Sequence, residues 1–170
     1  MKILIISDVL LRNDNGVGNS YNNIFSGMPN VTIANICCQE GVSDNSISSA
    51  CFQLSENRLI KNLINPNVRS GIVEQKHCTE SRDSIEPQKI SPIFKWIKRS
   101  RWQIFFAIRN GIWKVGRWKS NELNRFIDEF NPDLIFAQLQ DKLYLNNIIM
   151  YVANYTKVPL TLYVWDDVYS

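Results

Sequence analysis

Apolar residues in this chain fall into short, nearly continuous runs, separated by segments of helical periodicity. Parallel strands that are covered on both faces have this composition, because neither side of such a strand meets water. The first run is Lys2-Ile3-Leu4-Ile5-Ile6-Ser7. We predict strands at residues 2–7, 31–37, 50–54, 134–137 and 160–165.

The segments between these runs carry helix signals. Ser55 is a candidate N-cap for a helix over 58–64, which ends before Pro66. Residues 93–130 are helical in pattern, with Gly111 and Gly116 as candidate breaks, and 143–155 form the last predicted helix. This alternation predicts an α/β domain with a largely parallel sheet and helices on both faces.

The length and composition fit one domain. The chain has 170 residues, of which 45% are hydrophobic, enough for a packed core. Residues 65–92 are polar and contain three prolines, so we predict an irregular excursion there. The last predicted strand is followed by only a few residues, so we expect that the sequence is a fragment or a truncated product.

Charge and cysteine content exclude several classes of protein. A net charge of +3 does not by itself indicate a nucleic-acid binder. The four cysteines form no CxxC pair and His77 is the single histidine, so we expect reduced thiols in a cytoplasmic protein and no metal site. No run reaches the ~20 apolar residues of a transmembrane helix, and no signal peptide is recognisable.

A glycine-containing segment, Asn15-Gly16-Val17-Gly18-Asn19-Ser20, follows the first strand and precedes a helix-like stretch. Backbone N–H groups at such a place attract phosphate or carboxylate, so Gly16, Gly18, Asn19 and Ser20 are candidate ligand contacts. The dinucleotide fingerprint is not met, because Tyr21 replaces its third glycine and residues 8–15 separate the strand from the first. An ordinary strand-to-helix loop is the alternative interpretation.

Polar residues also follow several predicted strands. Ligands of parallel sheets bind beyond the carboxyl ends of the strands. Carboxylates there can hold sugar hydroxyls or take a proton, and Trp165 could stack on a ring. The alternative for the last two acids is that one of them caps a following helix. The edge is predicted to collect Asp8, the Gly16 loop, Gln138, Gln140, Asp141, Trp165, Asp166 and Asp167.

Residues 95–119 are rich in basic side chains and contain no acidic one. On one uninterrupted helix, the isoleucines and Val115 would face the core, opposite a basic and aromatic face that suits an anionic membrane or another domain. A solvated face is the alternative. The predicted basic-aromatic face comprises Lys95, Lys98, Arg99, Trp102, Phe106, Arg109, Trp113 and Arg117.

Several of these features together resemble the N-terminal, Rossmann-like domain of GT-B-fold glycosyltransferases, most closely the retaining family-four type. They are the Gly16-Val17-Gly18 segment, the strand entry Asn131-Pro132-Asp133-Leu134-Ile135 and the strand end Trp165-Asp166-Asp167. The likeness covers essentially the whole chain. Where the family often has a histidine near the last strand, this sequence has Trp-Asp-Asp.

The resemblance implies an acceptor-side domain, 1–170, of an enzyme that moves a sugar from a nucleotide sugar to a glycan or lipid-linked acceptor. It implies that Gly16, Gly18, Asn19 and Ser20 lie near the donor's diphosphate and that Asp166 and Asp167 lie on the acceptor side, as candidate catalytic residues. The donor is a substrate, so no cofactor is expected. We expect this chain to lack the family's C-terminal donor-binding domain and therefore to be inactive alone.

The sequence also supports a competing hypothesis, a noncatalytic Rossmann-like module that docks a partner or a membrane. In either case we expect a cytoplasmic protein, with a peripheral membrane contact through 95–119 and no nucleic-acid partner.

Overall fold

The computed structural model describes residues 1–43, 46–75 and 102–164. Trp165, Asp166, Asp167 and the basic residues at 95–101 lie outside these ranges, as do His77 and Cys78. The predictions that concern them therefore stay predictions.

The described residues form six strands and five helices. The strands are β1 (Lys2–Ser7), β2 (Thr32–Cys37), β3 (Ser48–Leu54), β4 (Gly71–Gln75), β5 (Leu134–Gln138) and β6 (Leu160–Tyr163). The helices are α1 (Gly16–Phe25), α2 (Glu56–Ile64), α3 (Trp102–Val115), α4 (Asn121–Phe130) and α5 (Leu143–Thr156).

All six strands belong to one sheet, in the order β4-β3-β2-β1-β5-β6. Every neighbouring pair is parallel except β3 and β4, which are antiparallel. The fold is therefore a Rossmann-like α/β fold with a largely parallel sheet, and the predicted fold class is confirmed.

Helices cover both faces of the sheet. Strand β1 contributes to the core on each face, because its successive side chains point to opposite sides. Leu4 and Ile6 join the larger core, to which helices α2 to α5 contribute residues such as Leu59, Leu123 and Leu145. The other side of β1 packs against α1 in a smaller core that contains Ile3, Ile5, Leu11, Tyr21, Phe25 and Ile33.

Local capping explains where several helices begin. The Ser55 side chain accepts a hydrogen bond from the Arg58 N–H, so its predicted role as the N-cap of α2 is confirmed. Asn15 and Ser120 cap α1 and α4 in the same way. Gly116 follows the last residue of α3, which confirms one candidate break, whereas Gly111 lies inside that helix.

The predicted excursion over 65–92 contains a strand. Residues 71–75 form β4, an edge strand that pairs antiparallel with β3. The β-branched residues Ile72 and Val73 are 38% and 42% exposed, as an edge strand allows. The sequence analysis did not predict this strand, because prolines and polar residues dominate the composition of the whole segment 65–92.

The predicted orientation of the basic helix agrees with the structure at Ile112, which packs against the larger core, and at the exposed Arg117, but it is wrong at three other positions. Ile108 and Val115, predicted to face the core, are 41% and 62% exposed. Trp113, predicted to face outward, is 2% exposed and belongs to the larger core. Trp113 determines which side of α3 faces the core, because its indole buries more apolar area than an isoleucine side chain.

Tyr21 provides a test of the smaller core. Its residue is 1% exposed, and its hydroxyl has no hydrogen-bond partner among the described residues. We expect Tyr21→Phe to raise the free energy of unfolding by about 1 kcal/mol at pH 7, because it removes an unsatisfied buried group. Urea unfolding measures this, and a variant less stable than the parent would show that the hydroxyl is satisfied.

The pH dependence provides a second readout of the same variant. Burial, with a smaller effect of Tyr163, raises the pKa of Tyr21 from 10.0 to about 12. The unfolded tyrosine therefore ionises first, and stability that is complete below pH 10 is lost as the pH rises through 12. Tyr21→Phe should remove this part of the alkaline loss.

The cysteines that the structure describes are free and buried. Cys37 and Cys38 point to opposite sides of the sheet, as their adjacency predicts, and Cys38 joins the larger core. The Sγ atoms of Cys37 and Cys51 lie 3.5 Å apart. No helix in the described ranges is long and apolar enough to cross a membrane.

Candidate functional site

The strand order defines one crevice at the carboxyl edge of the sheet. From β1 the chain proceeds to β2 on one side, whereas β5 pairs with the other side of β1 and leads to β6. Successive connections thus run in opposite directions at the β1/β5 boundary. Open parallel sheets bind their ligands at such a switch point.

Asp8, the residue that follows β1, lies at this boundary with a side chain that is 10% exposed. Its Oδ2 accepts from the Lys142 ammonium and its Oδ1 from the Tyr144 hydroxyl. Lys142 is the last residue before α5, and Tyr144 is in the first turn of that helix. The ion pair therefore joins the end of β1 to the start of α5 across the crevice.

A chain of hydrogen bonds continues inward from Tyr144. The Arg109 guanidinium donates to the Tyr144 hydroxyl at 2.7 Å and forms an ion pair with Glu56. The Trp113 indole N–H donates to the same Glu56 oxygen at 3.1 Å. The indole stacks on the Tyr144 ring, with centroids 4.7 Å apart and planes at 14°. Tyr144 is thus held on its face and at its hydroxyl.

The electrostatics keep this hydroxyl protonated. Burial is the largest cause that raises the pKa of Tyr144, and the hydrogen bond to Asp8 raises it further. Burial also raises the pKa of the neighbouring Cys38 thiol, with a further contribution from Asp8. Tyr144 and Cys38 are therefore neutral at pH 7, so the charges at the crevice belong to Asp8, Lys142, Arg109 and Glu56.

Arg109 keeps its charge in spite of partial burial. Burial lowers the pKa of its guanidinium, but the negative charge of Glu56 and the hydrogen bond to it contribute to a larger opposite effect, so the pKa is raised overall. Arg109 is therefore a fixed cation inside the protein.

Two further polar groups extend the edge on either side of Asp8. Towards β3, Glu40 accepts from the Ser55 hydroxyl at 2.9 Å and pairs with Arg58. On the β5 side, the Gln140 amide donates to the Gln138 side chain at 2.9 Å. Gln138 is 8% exposed at the end of β5. The predicted convergence of Asp8, Gln138 and Gln140 at the carboxyl edge is thus observed.

The glycine segment is helical, where the sequence predicted a loop before the helix. Helix α1 begins at Gly16, and no described glycine has a positive φ. Gly18 is buried against the backbone of Arg12, and its N–H donates to the Asn15 side chain at 2.7 Å. Its close approach is therefore to the protein's own loop, and a ligand contact there stays a prediction.

The other members of the segment face more open space. A Cβ on Gly16 would meet nothing within 4 Å, and Asn19 is exposed. The Ser20 hydroxyl donates to the Gly16 carbonyl at 3.0 Å, a bond within the helix. Of the predicted contacts, Gly16 and Asn19 are thus the most accessible.

No three His, Cys, Asp or Glu side chains come together as a metal site would require, in the part of the chain that the structure describes. Asp141, predicted at the carboxyl edge, is exposed beside Lys142. The chemistry of the observed edge is therefore that of a carboxylate, an ammonium and amides, which bind polar and hydroxylated ligands.

The sequence analysis missed Lys142, Tyr144 and Glu56. Their places in the sequence were a signal, because Lys142 follows the predicted edge residues Gln140 and Asp141, and Tyr144 is in the first turn of the last predicted helix. The signal for Glu56 was weaker, because an acidic residue directly after an N-cap is usually there to interact with the helix dipole.

In comparisons with known proteins, no family model, no curated protein and no solved structure matches the chain. The functional conclusion consequently depends on the geometry of the carboxyl edge.

Proposed function

We propose that this chain is the acceptor-side domain of a GT-B-fold glycosyltransferase, which transfers a sugar from a nucleotide sugar to a glycan or lipid-linked acceptor. The observation that carries the proposal is the Asp8–Lys142 pair at the switch point of a Rossmann-like sheet. Carboxylates and amides are the groups that recognise vicinal hydroxyls, and Lys142 supplies a positive charge for phosphate.

Each component of the edge has a role in this proposal. Asp8 would accept hydrogen bonds from sugar hydroxyls, and Lys142, whose side chain is 35% exposed, would exchange Asp8 for an anionic group of the ligand. Gly16 and Asn19 would contact the donor at the start of α1. Asp166 and Asp167 remain the proposed acceptor-side residues of the complete enzyme. Catalysis would depend on positioning and on stabilising the diphosphate leaving group.

The proposal is tested by NMR titration of the ¹⁵N-labelled chain with UDP-glucose, GDP-mannose and a maltose series. We expect saturable shifts at Asp8, Gln138 and Lys142. Asp8→Asn should weaken binding about tenfold, since a hydrogen bond to a charged group is worth ~1.5–3 kcal/mol. The asparagine can still accept from Tyr144, so the fold should persist, and thermal unfolding checks this.

Arg125→Gln is the matched control, because Arg125 is 80% exposed and pairs only with Glu129 among the described residues. Its affinity should equal that of the parent. The proposal would be overturned if none of the probes caused shifts at the carboxyl edge, or if Asp8→Asn and Arg125→Gln bound the probes with equal affinity.

The competing hypothesis is a noncatalytic module with a peripheral membrane contact through 95–119. One observation favours it, since Val115 is exposed between Lys114 and Arg117, which are exposed as well. Arg109 cannot take part, because its guanidinium is engaged by Glu56 and Tyr144. Salt-sensitive binding to anionic vesicles without any sugar binding would favour this module over the glycosyltransferase.

A further inference from the structure

A groove of about 300 Å³ lies at the amino edge of the sheet, opposite the edge that holds Asp8. It is formed where α4 leads into β5 and where α5 leads into β6. Val158 contributes apolar surface, whereas Ile127 lies beneath the groove and is 1% exposed. The polar lining comes from Asp128, Asn131, Tyr155 and Thr156. The volume is at the lower end of the ~300–1,000 Å³ that is typical of ligand sites.

The C-termini of two helices meet at this groove. Helix α4 ends at Phe130 and α5 at Thr156, and neither has a basic residue in its last turn. The carbonyl groups at a helix C-terminus carry partial negative charge and stabilise nearby cations. The backbone therefore makes this part of the surface attractive to positive charge.

Asp128 adds a full negative charge. Its Oδ2 accepts from the Tyr155 hydroxyl at 2.9 Å, and no basic side chain pairs with this carboxylate in the described ranges. Two lysines lie nearby without lining the groove. Lys157 is exposed just after α5, and the Lys2 ammonium lies 5.9 Å from the centre of the Phe130 ring.

The Tyr155 ring offers a second kind of contact. Tyr155 is 41% exposed and stacks on Tyr151, with centroids 6.1 Å apart. An aromatic face attracts ammonium and guanidinium groups that lie within about 6 Å of its centre. A carboxylate bonded to the hydroxyl of such a ring can hold a cation beside it.

We propose that this groove binds an organic cation, namely a primary ammonium or guanidinium group on an alkyl stem. The Asp128 carboxylate would pair with the charged group, the face of the Tyr155 ring would contact it, and the stem would lie against Val158. The ligand is either a free amine or the Lys or Arg side chain of another polypeptide. This site is separate from the carboxyl edge and does not depend on the function proposed there.

The test is an NMR titration of the ¹⁵N-labelled chain with butylguanidinium, butylammonium and the blocked peptide acetyl-Gly-Arg-Gly-amide, with 1-butanol as the uncharged probe. We expect saturable shifts at residues 127–132 and 155–158 with the cations and none with butanol. Tighter binding of the peptide than of butylguanidinium would indicate a polypeptide partner. The reverse order would indicate a free amine.

Two variants test the proposed contacts. Asp128→Asn should weaken cation binding at least about tenfold, because it removes a charge-assisted bond. Glu129→Gln is the matched control, since Glu129 is the adjacent acid, is 58% exposed and pairs with Arg125 outside the groove. Its affinity should stay within twofold of the parent.

Tyr155→Phe and Tyr155→Leu separate the hydroxyl from the ring. The phenylalanine variant should bind the cations nearly as well as the parent, whereas the leucine variant should bind several-fold more weakly. Equal affinities for Asp128→Asn and Glu129→Gln, or shifts caused equally by butanol, would overturn the proposal.

Discussion

Gly18→Ala should destabilise the protein strongly, although alanine is the better helix former. An added Cβ would lie 1.9 Å from the Arg12 carbonyl oxygen and 2.7 Å from the Arg12 carbonyl carbon. Both atoms are backbone, so the loop over 8–15 or helix α1 has to move. Overpacking typically costs ~1–3 kcal/mol, and we expect a loss near ~3 kcal/mol in the free energy of unfolding, measured by urea titration.

Gly16→Ala is the control for this prediction. Gly16 is two residues away in the same helix, and a Cβ there would meet nothing within 4 Å. The free energy of unfolding should change by less than about 0.5 kcal/mol or rise slightly, because alanine has the higher helix propensity. A Gly18→Ala protein as stable as Gly16→Ala would contradict the close approach of α1 to the loop.

The same pair of variants bears on the proposed ligand contacts. The loop begins at Asp8, so a shift of Arg12 would also disturb the Asp8–Lys142 pair. Weaker ligand binding by Gly18→Ala would therefore reflect the position of the loop. Gly16 is the more informative residue for a direct contact, because a side chain there changes the surface without moving the backbone.

The fold was predictable from the sequence because its strands are nearly continuous apolar runs. Strands β1 and β2 are buried on both faces after their first residue, and β5 is buried on one face and half-buried on the other, so burial determines their composition. The N-cap Ser55 is likewise a local signal. Strand β4 escaped prediction because an edge strand of five residues keeps exposed positions and depends on pairing with β3.

The site was predictable only in part, because strand ends can be read locally whereas side-chain partners cannot. Asp8 and Gln138 follow from their places at the ends of β1 and β5. The partners of Asp8 are Lys142 and Tyr144, more than 130 residues away in the chain. Their encounter depends on the adjacency of β1 and β5, which no periodicity in either segment reveals.

The prediction of which side of α3 faces the core was wrong at Trp113 for a related reason. An ideal helix through 93–130 places the isoleucines on one side, but the actual helix meets α2 and α5 through Arg109, Trp113 and the following Gly116. The charged Arg109 is acceptable inside because Glu56 neutralises it and Tyr144 accepts its hydrogen bond. Hydrophobic periodicity cannot identify an arginine that packs inward with a paired acid.

Trp113→Ala should give the largest loss of stability among the α3 variants. The side chain is 2% exposed, stacks on Tyr144 and donates to Glu56. Truncation of a buried tryptophan typically costs ~3–5 kcal/mol, because both the burial and the filled volume are lost. Urea unfolding measures this cost, and the fluorescence change can be followed at the remaining tryptophans.

Val115→Ala is the control that decides which side of α3 faces the core. Val115 is 62% exposed, so its truncation should change the free energy of unfolding by less than about 0.5 kcal/mol. If Val115→Ala were the more destabilising variant, Val115 would face the core, as the sequence predicted. A Trp113→Ala protein that still folds has lost the ring that stacks on Tyr144, but its Asp8–Lys142 ion pair is unchanged. Weaker ligand binding at the carboxyl edge of this variant would therefore indicate that Tyr144 positions Asp8.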